Sequence, residues 1–406
     1  MSGLTAAYVL SRSGDAVTVF EKDGRLGGHA DTHDVVDRRG RTQRIDTGFI
    51  VHNDVTYPVL LRLFAELGVA TQDSDMSMSV RCDGCGLEYA GAKGAKGLFA
   101  SRSAAKPAYV RMLVEVLKFH RSARAVLAGP ESEETLEAFL DRGGYSTYFR
   151  DHFMTPVVSA VWSCPPATAG LYPARYLFSF LNHHGMLRVT GSPQWRTVVG
   201  GSRAYVEKLA KELGAIQTSA PVTSVRRVGA GVEVTADGAA EMFDAVVIAT
   251  HPHQALALLV SPTQAERDIL GAIDYTANPT VLHTDARILP SSKGAQASWN
   301  YLMDRCHGDA EAVVVSYDMN RLQDLDAPER FVVTLNAVDR IDPTTVIDRM
   351  DYEHPAYTPA SVAAQKRLPE LNDGVVAYAG AYHGWGFHED GARSGLAAAE
   401  SLGANW

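Results

Sequence analysis

The chain has 406 residues, 46% hydrophobic and 21% charged, an ordinary globular balance with ample material for a large core. Lys and Arg number 38 against 47 Asp and Glu, a net charge of −9, which argues against a general electrostatic footprint for nucleic acid. Four cysteines (Cys82, Cys85, Cys164, Cys306) form no disulfide framework in so long a chain and point to a reducing cytoplasm. No apolar run approaches the roughly 18 residues of a membrane-spanning helix, and no basic segment followed by an apolar stretch opens the chain as a signal peptide would.

Residues 2–13 read as a helix, with Leu4, Ala7 and Tyr8 near one face and Gly14 as its stop. A buried strand over 16–20 ends on Glu21, and the glycine-rich loop Asp23-Gly-Arg-Leu-Gly-Gly28 follows. Helical spacing returns at 58–67, and 77–90 has the pattern of a hairpin around Asp83-Gly84. Residues 104–127, 135–153 and 202–213 are predicted as helices. From Ala220 the pattern turns to strands at 222–228, 231–236 and 243–249, then 280–283, 312–317 and 331–335. A short apolar strand at 375–379 precedes a last helix over 390–402. Both ends of the chain have the pattern of nucleotide-binding elements and the middle does not, which predicts a discontinuous domain.

Met1-Ser-Gly3 followed by helix, strand and Glu21 fits the second half of a G-x-G-x-x-G fingerprint. There, glycines let the backbone approach a pyrophosphate at a helix N-terminus, where amides and dipole favour negative charge. The acid ending the next strand accepts hydrogen bonds from a ribose, so Gly3 would be the third glycine and Glu21 the ribose ligand.

Three other groups of residues stand out. His183-His184, with Trp162 and Trp195 in the same stretch, could serve as an acid/base group, since histidine titrates near neutrality; structural histidines are commoner. Cys82-Asp-Gly-Cys85 has metal or redox spacing, but zinc needs a second pair of ligands and none stands nearby in sequence; a hairpin turn is the better reading, and no metal is expected. Between 93 and 124 lie Lys93, Lys96, Arg102, Lys106, Arg111, Lys118, Arg121 and Arg124 against the single acid Glu115, interleaved with Leu98, Phe99, Tyr109, Leu113, Val116, Leu117 and Phe119. Such a stretch is commonly a solvated helix face; the alternative is peripheral contact with an anionic membrane or reception of an acidic acyl substrate.

Beyond Glu21 the sequence resembles the flavin-dependent amine oxidase and phytoene desaturase superfamily, and within it the bacterial branch of predicted NAD/FAD-binding proteins. The resemblance is carried by Val19-Phe-Glu-Lys-Asp-Gly-Arg-Leu-Gly-Gly-His-Ala-Asp-Thr32, Ile45-Asp-Thr-Gly-Phe-Ile-Val51, Trp299-Asn-Tyr301, Tyr317-Asp-Met-Asn-Arg-Leu-Gln323 and Gly380-Ala-Tyr-His-Gly-Trp-Gly-Phe-His-Glu-Asp-Gly-Ala-Arg-Ser-Gly395. It implies an α/β fold: a doubly wound, Rossmann-like FAD-binding domain in three parts (1–75, 199–260, 366–406) with an inserted mixed α+β substrate domain in two (76–198, largely helical, and 261–365, a mixed sheet). It also implies FAD, held noncovalently because no cysteine attachment motif is present. Ser2, Gly3, Glu21, Lys22, Arg25, Gly27, Gly28, His29, Thr47, Gly48 and Phe49 would line the cofactor. Arg25, Gly27 and Gly28 among them would lie along its pyrophosphate and ribityl region. Val222 would meet the adenine through its backbone, Ala249-Thr250 would close a second turn, and Gly380 with the helix after Asp390 would aim another helix N-terminus at the cofactor.

The substrate face would draw on Tyr382, His383, Trp385, Phe387 and His388, with His383, Trp385 and His388 as the catalytic candidates. The family begins with a buried strand and two earlier glycines that this sequence lacks. Losing several buried aliphatics at about 1.5–3 kcal/mol each rivals a domain's whole stability, so the natural start is expected upstream of Met1. Many amine oxidases also carry a glutamate where this chain has Tyr382; its ribityl contact would pass to Glu389 or Asp390. Phe387 falls near one position of the family's aromatic pair, and no partner for it is evident. The expected activity is therefore that of an FAD-dependent oxidoreductase on a hydrophobic small molecule, the desaturation, saturation or double-bond isomerisation of a fatty-acyl or isoprenoid chain, with an amine oxidase or a flavin-less binding protein as the alternatives.

Overall fold

A computed structural model describes residues 1–188, 191–307 and 312–406. The first helix, α1 (Ser2–Ser13), forms as spaced, and Gly14 ends it at φ 100°, a left-handed conformation that favours glycine. It leads into β1 (Thr18–Phe20), then α2 (Pro58–Glu66), whose proline lies in the first turn. The predicted hairpin is β2 (Met78–Cys82) and β3 (Leu87–Ala90). The helical region comprises α3 (Pro107–Ala128) and α4 (Ala174–His183), after which come α5 (Arg203–Glu212), β4 (Ala215–Gln217) and β5 (Val246–Ile248). The later strands are β6 (Tyr275–His283), β7 (Trp299–Met303), β8 (Val314–Asp318), β9 (Val332–Leu335), β10 (Val346–Pro355) and β11 (Val376–Tyr378), and α6 (His388–Ser401) closes the chain.

Two parts of the fold position the site. In the first, β1 pairs in parallel with β4, and β5 with β11; among the described residues the two pairs form separate two-stranded sheets. Leu4, Ala7, Tyr8 and Val9 of α1 bury against Leu60, Leu63 and Phe64 of α2 and Tyr205, Val206 and Leu209 of α5. In the second part, seven strands run in the order β10-β6-β9-β8-β7-β2-β3, antiparallel throughout except for the parallel pair β7 and β2. The helical layer covers one face of this sheet: Phe119 of α3 and Leu177, Phe178 and Phe180 of α4 share a core with Val80, Tyr301 and Val315 of β2, β7 and β8. A phenylalanine truncated to alanine at so buried a place typically costs about 3–5 kcal/mol.

Several predicted elements come out differently. The single helix expected over 135–153 is interrupted at Gly143-Gly144, giving Leu136–Arg142, Thr147–Phe149 and a π-helical turn at Arg150–Met154. The strand expected over 243–249 splits into the end of an antiparallel strand, Ala239–Phe243, and the parallel β5. The helix α4 and the long edge strand β10 were not anticipated. No helix of the described residues is long and apolar enough to cross a membrane.

Candidate cofactor and substrate site

The N-termini of α1 and α6 lie side by side because glycine faces the contact. A Cβ on Gly391 would come 3.1 Å from Ser2 Oγ, and one on Gly395 would come 2.2 Å from the Ser2 carbonyl oxygen. Gly3 packs as closely against the strand side, where a Cβ would stand 3.0 Å from Ala249 Cβ. Glu21 follows the carboxyl end of β1; its amide donates to the Gln217 carbonyl at 2.9 Å and its Oε1 accepts from Asp23 N–H at 3.0 Å. The amides of Ala220 and Ser219 donate to the carbonyls of Glu21 and Asp23, both at 2.9 Å, bringing the start of Val222–Val228 to the same end. Ser2, Gly3, Glu21, exposed Lys22, Val222, Ala249 and Thr250 thus gather outside the carboxyl ends of β1 and β5, where open α/β sheets take their ligands.

The glycine-rich loop is tied across itself. Arg25 donates to the Gly28 carbonyl at 2.8 Å and pairs with Asp31 at 2.9 Å. Burial alone would raise the Asp31 carboxyl, but His33, Arg25 and the Tyr352 hydroxyl hold it below its ordinary value. Thr47 Oγ1 lies 2.7 Å from the same Tyr352 hydroxyl, and Phe49 N–H donates to the His29 carbonyl at 2.7 Å. Gly48 is required there, since a Cβ would stand 2.3 Å from His29 oxygen. The His29 ring lies 4.7 Å from Tyr352 and 5.5 Å from His354; burial pushes its pKa down to about 3, and its Nε2 is buried with no partner.

His388 is placed on this side too. It opens α6, stacks on Phe49 at 3.6 Å and hydrogen-bonds Tyr205 through Nε2. The structure therefore separates it from Trp385 and His383, with which the motif had grouped it.

The carboxylates after it are taken up by the fold. Glu389 accepts from Val59 and Leu60 N–H, both at 3.0 Å, capping α2, and burial raises its pKa to about 7. Asp390 accepts from Trp385 N–H at 2.9 Å, Phe387 N–H at 3.1 Å and Arg393 at 2.8 Å, which fixes the loop before α6; burial raises it to about 6. Gly380 N–H donates to Ser394 Oγ at 2.9 Å, joining β11 to α6. Tyr382 folds back over Gly380 into the core with Ile248, Val376 and Tyr378.

Trp385 and Phe387 instead face the helical layer. Trp385 lies 5.2 Å from His183, 5.8 Å from Phe180 and 6.3 Å from Tyr176, and Phe387 stacks on Phe180 at 4.9 Å and lies 5.7 Å from His184. His184 stacks on Trp195 at 6.1 Å, and Trp162 Nε1 donates to the Trp385 carbonyl at 2.9 Å, so the expected grouping of these residues forms. Burial lowers His184 to about 4 and His383 to about 4, and lowers His183 as well, keeping the wall uncharged near neutrality. The Trp385 and His383 ring nitrogens, Nε1 and Nε2, are buried without partners. Spacing in the sequence had missed Tyr176 and Phe180, although Tyr176, Phe180 and His184 recur every four residues, a one-face signal.

The family described as flavin containing amine oxidoreductase matches residues 1–402, and the chain belongs to it. A Mycobacterium tuberculosis protein provisionally named flavin-containing monoamine oxidase AofH is 26% identical over 273 residues, 64% of this chain. The match spans little more than half, 57%, of that relative's length. Cyclohexylamine oxidase from Brevibacterium oxydans IH-35A superposes with a TM-score of 0.69 over 99% of this chain and 96% of its own, at 17% identity. A CLA-producing fatty acid isomerase from P. acnes does so with 0.69 over 98% and 95%, at 14% identity. These likenesses establish the fold as the Rossmann-like FAD-binding fold of that family.

FAD is the cofactor that membership implies, and the residues fit it. Glycines let two helix N-termini come together outside the carboxyl ends of β1 and β5, an arrangement that favours a pyrophosphate, and His29 offers an unsatisfied buried nitrogen on the same side.

Proposed function

We propose that the protein is an FAD-dependent oxidoreductase acting on a hydrophobic small molecule, a fatty-acyl or isoprenoid chain whose double bonds it introduces, removes or moves. The reading rests on one observation: the wall formed by Trp385 and Phe387 meets Tyr176, Phe180, His183 and His184 and carries no charge near neutral pH. Such a wall favours an apolar chain, whose burial is worth about 25 cal/mol per Å². The fatty acid isomerase shares the fold, as do the amine oxidases, so fold alone does not choose between them. When bound, the flavin supplies the electron or hydride chemistry.

In this reading the helix N-termini at Ser2-Gly3 and Gly391 hold the pyrophosphate, and Glu21 holds the ribose. Val222 meets the adenine through its backbone. Arg25, Gly27, Gly28, His29, Thr47, Gly48 and Phe49 line the remainder with Ala249, Thr250 and Gly380. Trp385 and Phe387 orient the substrate, and His383, neutral near pH 7, is the candidate to accept a proton. The exposed face of α3, with Val110, Val114 and Leu117 beside Lys118, Arg121 and Arg124, rests on anionic lipid, from which an acyl chain would be drawn.

The test is the visible spectrum of the purified protein, followed by incubation with unsaturated fatty acids or isoprenoids, or with amines under air. Flavin bands with a changed lipid product support the proposal. Peroxide release with amines alone would replace it by amine oxidation, and a colourless, inactive protein would leave a binding function.

A further inference from the structure

Away from the cofactor, four potential metal ligands meet where three distant segments join. The β2–β3 turn places Cys82 at the end of a strand and Cys85 three residues on, and Gly86 N–H donates to the Cys82 carbonyl at 2.9 Å. The Cys85 carbonyl is pinned by Ser103 Oγ at 2.7 Å and Lys106 Nζ at 3.2 Å. Alongside, β7 pairs with β2 through Met303 and Cys82, and Asp83 N–H donates to the Met303 carbonyl at 2.8 Å. The chain then passes over the turn; a Cβ on Gly84 would come 2.8 Å from Arg305 Cα, so only glycine admits this close passage. Cys306, 224 residues after Cys82, thereby brings its Sγ to 3.8 Å from that of Cys82.

The fourth group comes from the π-helical turn Arg150–Met154. His152 Nε2 stands 3.6 Å from Cys85 Sγ. Its Nδ1 lies 3.2 Å from the Tyr148 carbonyl, its ring stacks on Tyr148 at 4.0 Å, and its own carbonyl accepts from Tyr89 OH at 2.7 Å. A proton on Nδ1, donated to that carbonyl, leaves Nε2 as a lone pair facing the thiols, the orienting contact that metal-bound histidines keep. All four ligand atoms lie within 4.8 Å of one another.

The 3.8 Å and 3.6 Å separations match two edges of a tetrahedron. With Zn–S of about 2.3 Å and Zn–N of about 2.0–2.1 Å, sulfurs stand about 3.8 Å apart and sulfur and nitrogen about 3.6 Å apart. We propose that Cys82, Cys85, His152 and Cys306 form a closed Cys₃His zinc site that clamps the β2–β3 hairpin to the π-helical turn and to the end of β7. Four protein ligands leave no open position, so the ion is structural. A divalent cation held there would bind the three sulfurs as thiolates, and the Nδ1 contact of His152 already turns its Nε2 toward them. Asp151 and His307, 2.6 Å apart, tie the same two segments beside the site. The expectation of no metal, drawn from the absence of a second ligand pair near Cys85 in sequence, is set aside by this proposal.

The test is elemental analysis of the full protein, purified without added metal and again after incubation with zinc chloride and gel filtration. One zinc per chain is expected, with Cys82, Cys85 and Cys306 shielded from alkylation until a chelator is added. Cobalt(II) in place of zinc should give the intense ligand-field absorption of tetrahedral thiolate coordination, to the red of the flavin. Cys85→Ser and His152→Gln should lose the metal, whereas Cys164→Ser, at a buried thiol outside the site, should retain it. Absence of zinc above the buffer blank after both preparations, or a Cys82–Cys306 disulfide found by mass spectrometry in its place, would overturn the proposal.

Discussion

The two sheet systems of this protein are held together in different ways. The seven-stranded sheet is continuous, and its helical layer interlocks through Phe119, Phe139, Phe149 and Phe178. The nucleotide half instead contains two separate two-stranded parallel pairs, and the residues of β1 are only half-buried. A two-stranded pair is at best marginal alone and depends on what packs against it. Here that is α1, α6 and α5, with glycines at their closest contacts, so the half that would bind the cofactor depends on helix contacts for what the other half obtains from strand pairing.

The largest expected effect follows at the α1–α6 crossing. Gly395→Leu places carbon where the Ser2 carbonyl oxygen stands 2.2 Å away and Ala6 N 3.1 Å away, and backbone cannot yield as a side-chain tip does. The helices must part, at a cost of about 1–3 kcal/mol or more, and the paired N-termini part with them. Flavin absorbance per chain should fall to a small fraction of wild type, while hydrogen exchange in β2 and β6–β9 stays as slow as before. Retention of full flavin would break the division between the halves, and faster exchange in the seven-stranded sheet would show that they unfold together.

What the sequence disclosed follows the range of each signal. The helix over Ser2–Ser13, its Gly14 stop and the position of Glu21 depend on residues within one turn or one motif, and all were legible. The hairpin around Asp83-Gly84 was legible for the same reason. The helix expected over 135–153 failed because its apolar spacing runs across Gly143-Gly144, where the backbone turns aside. The aromatic wall was half legible: the C-terminal motif gives Trp385 and Phe387, but Phe180 reaches them only through the packing of α4. His388 was misplaced because it is the first residue of α6, where the helix turns its ring onto Phe49 and Tyr205, while Phe387 just before the helix meets Phe180. Cys306 and His152 lie 224 and 67 residues from the cysteines they meet, and no local pattern reports such a meeting.

A second prediction sets one buried histidine in each half against the other. His52, packed against Tyr57 and Phe64, has both ring nitrogens buried without partners; in the sheet, His283 meets Thr334 Oγ1 at 2.8 Å and accepts from Asp285 N–H at 3.1 Å. Burial lowers both to about 4. Below the unfolded value near 6.5, the unfolded chain takes up protons that these folded sites refuse until about pH 4, so stability falls with pH across that window. Asp46, raised by burial to about 6, works oppositely: its contribution is present below its ordinary value and is lost as pH rises through 6. His52→Leu should remove one acid-sensitive group without leaving a bond unmade, gaining on wild type by about 1 kcal/mol per pH unit between pH 6 and 5 in urea melts. His283→Leu should cost about 1–3 kcal/mol already at pH 7, because the Asp285 amide loses its partner and Thr334 keeps only Ser316. Equal costs at pH 7 would mean that hydrogen bonding does not distinguish the two halves.

The smallest effect concerns the outer face of the helical layer. Val110, Val114 and Leu117 of α3 are 47%, 63% and 57% exposed, at helical spacing on one side, and Phe99 is 55% exposed in the segment before them. Among the flanking cations, Lys118 sits 4.6 Å over the Tyr145 ring and Arg124 donates to the Leu187 carbonyl at 3.0 Å. Both are therefore partly committed to the fold, and their attraction to lipid should fall below the roughly 1 kcal/mol that a basic residue contributes at an anionic surface. Replacing Lys118, Arg121 and Arg124 together by glutamine should weaken sedimentation with phosphatidylserine vesicles by about tenfold, with little change for neutral vesicles. Val114→Asp should weaken both, because it removes apolar contact and adds a charge that anionic lipid repels. Because surface charge is screened within about 8 Å at physiological salt, binding that persists unchanged in high salt or in the triple variant would refute membrane contact through this face.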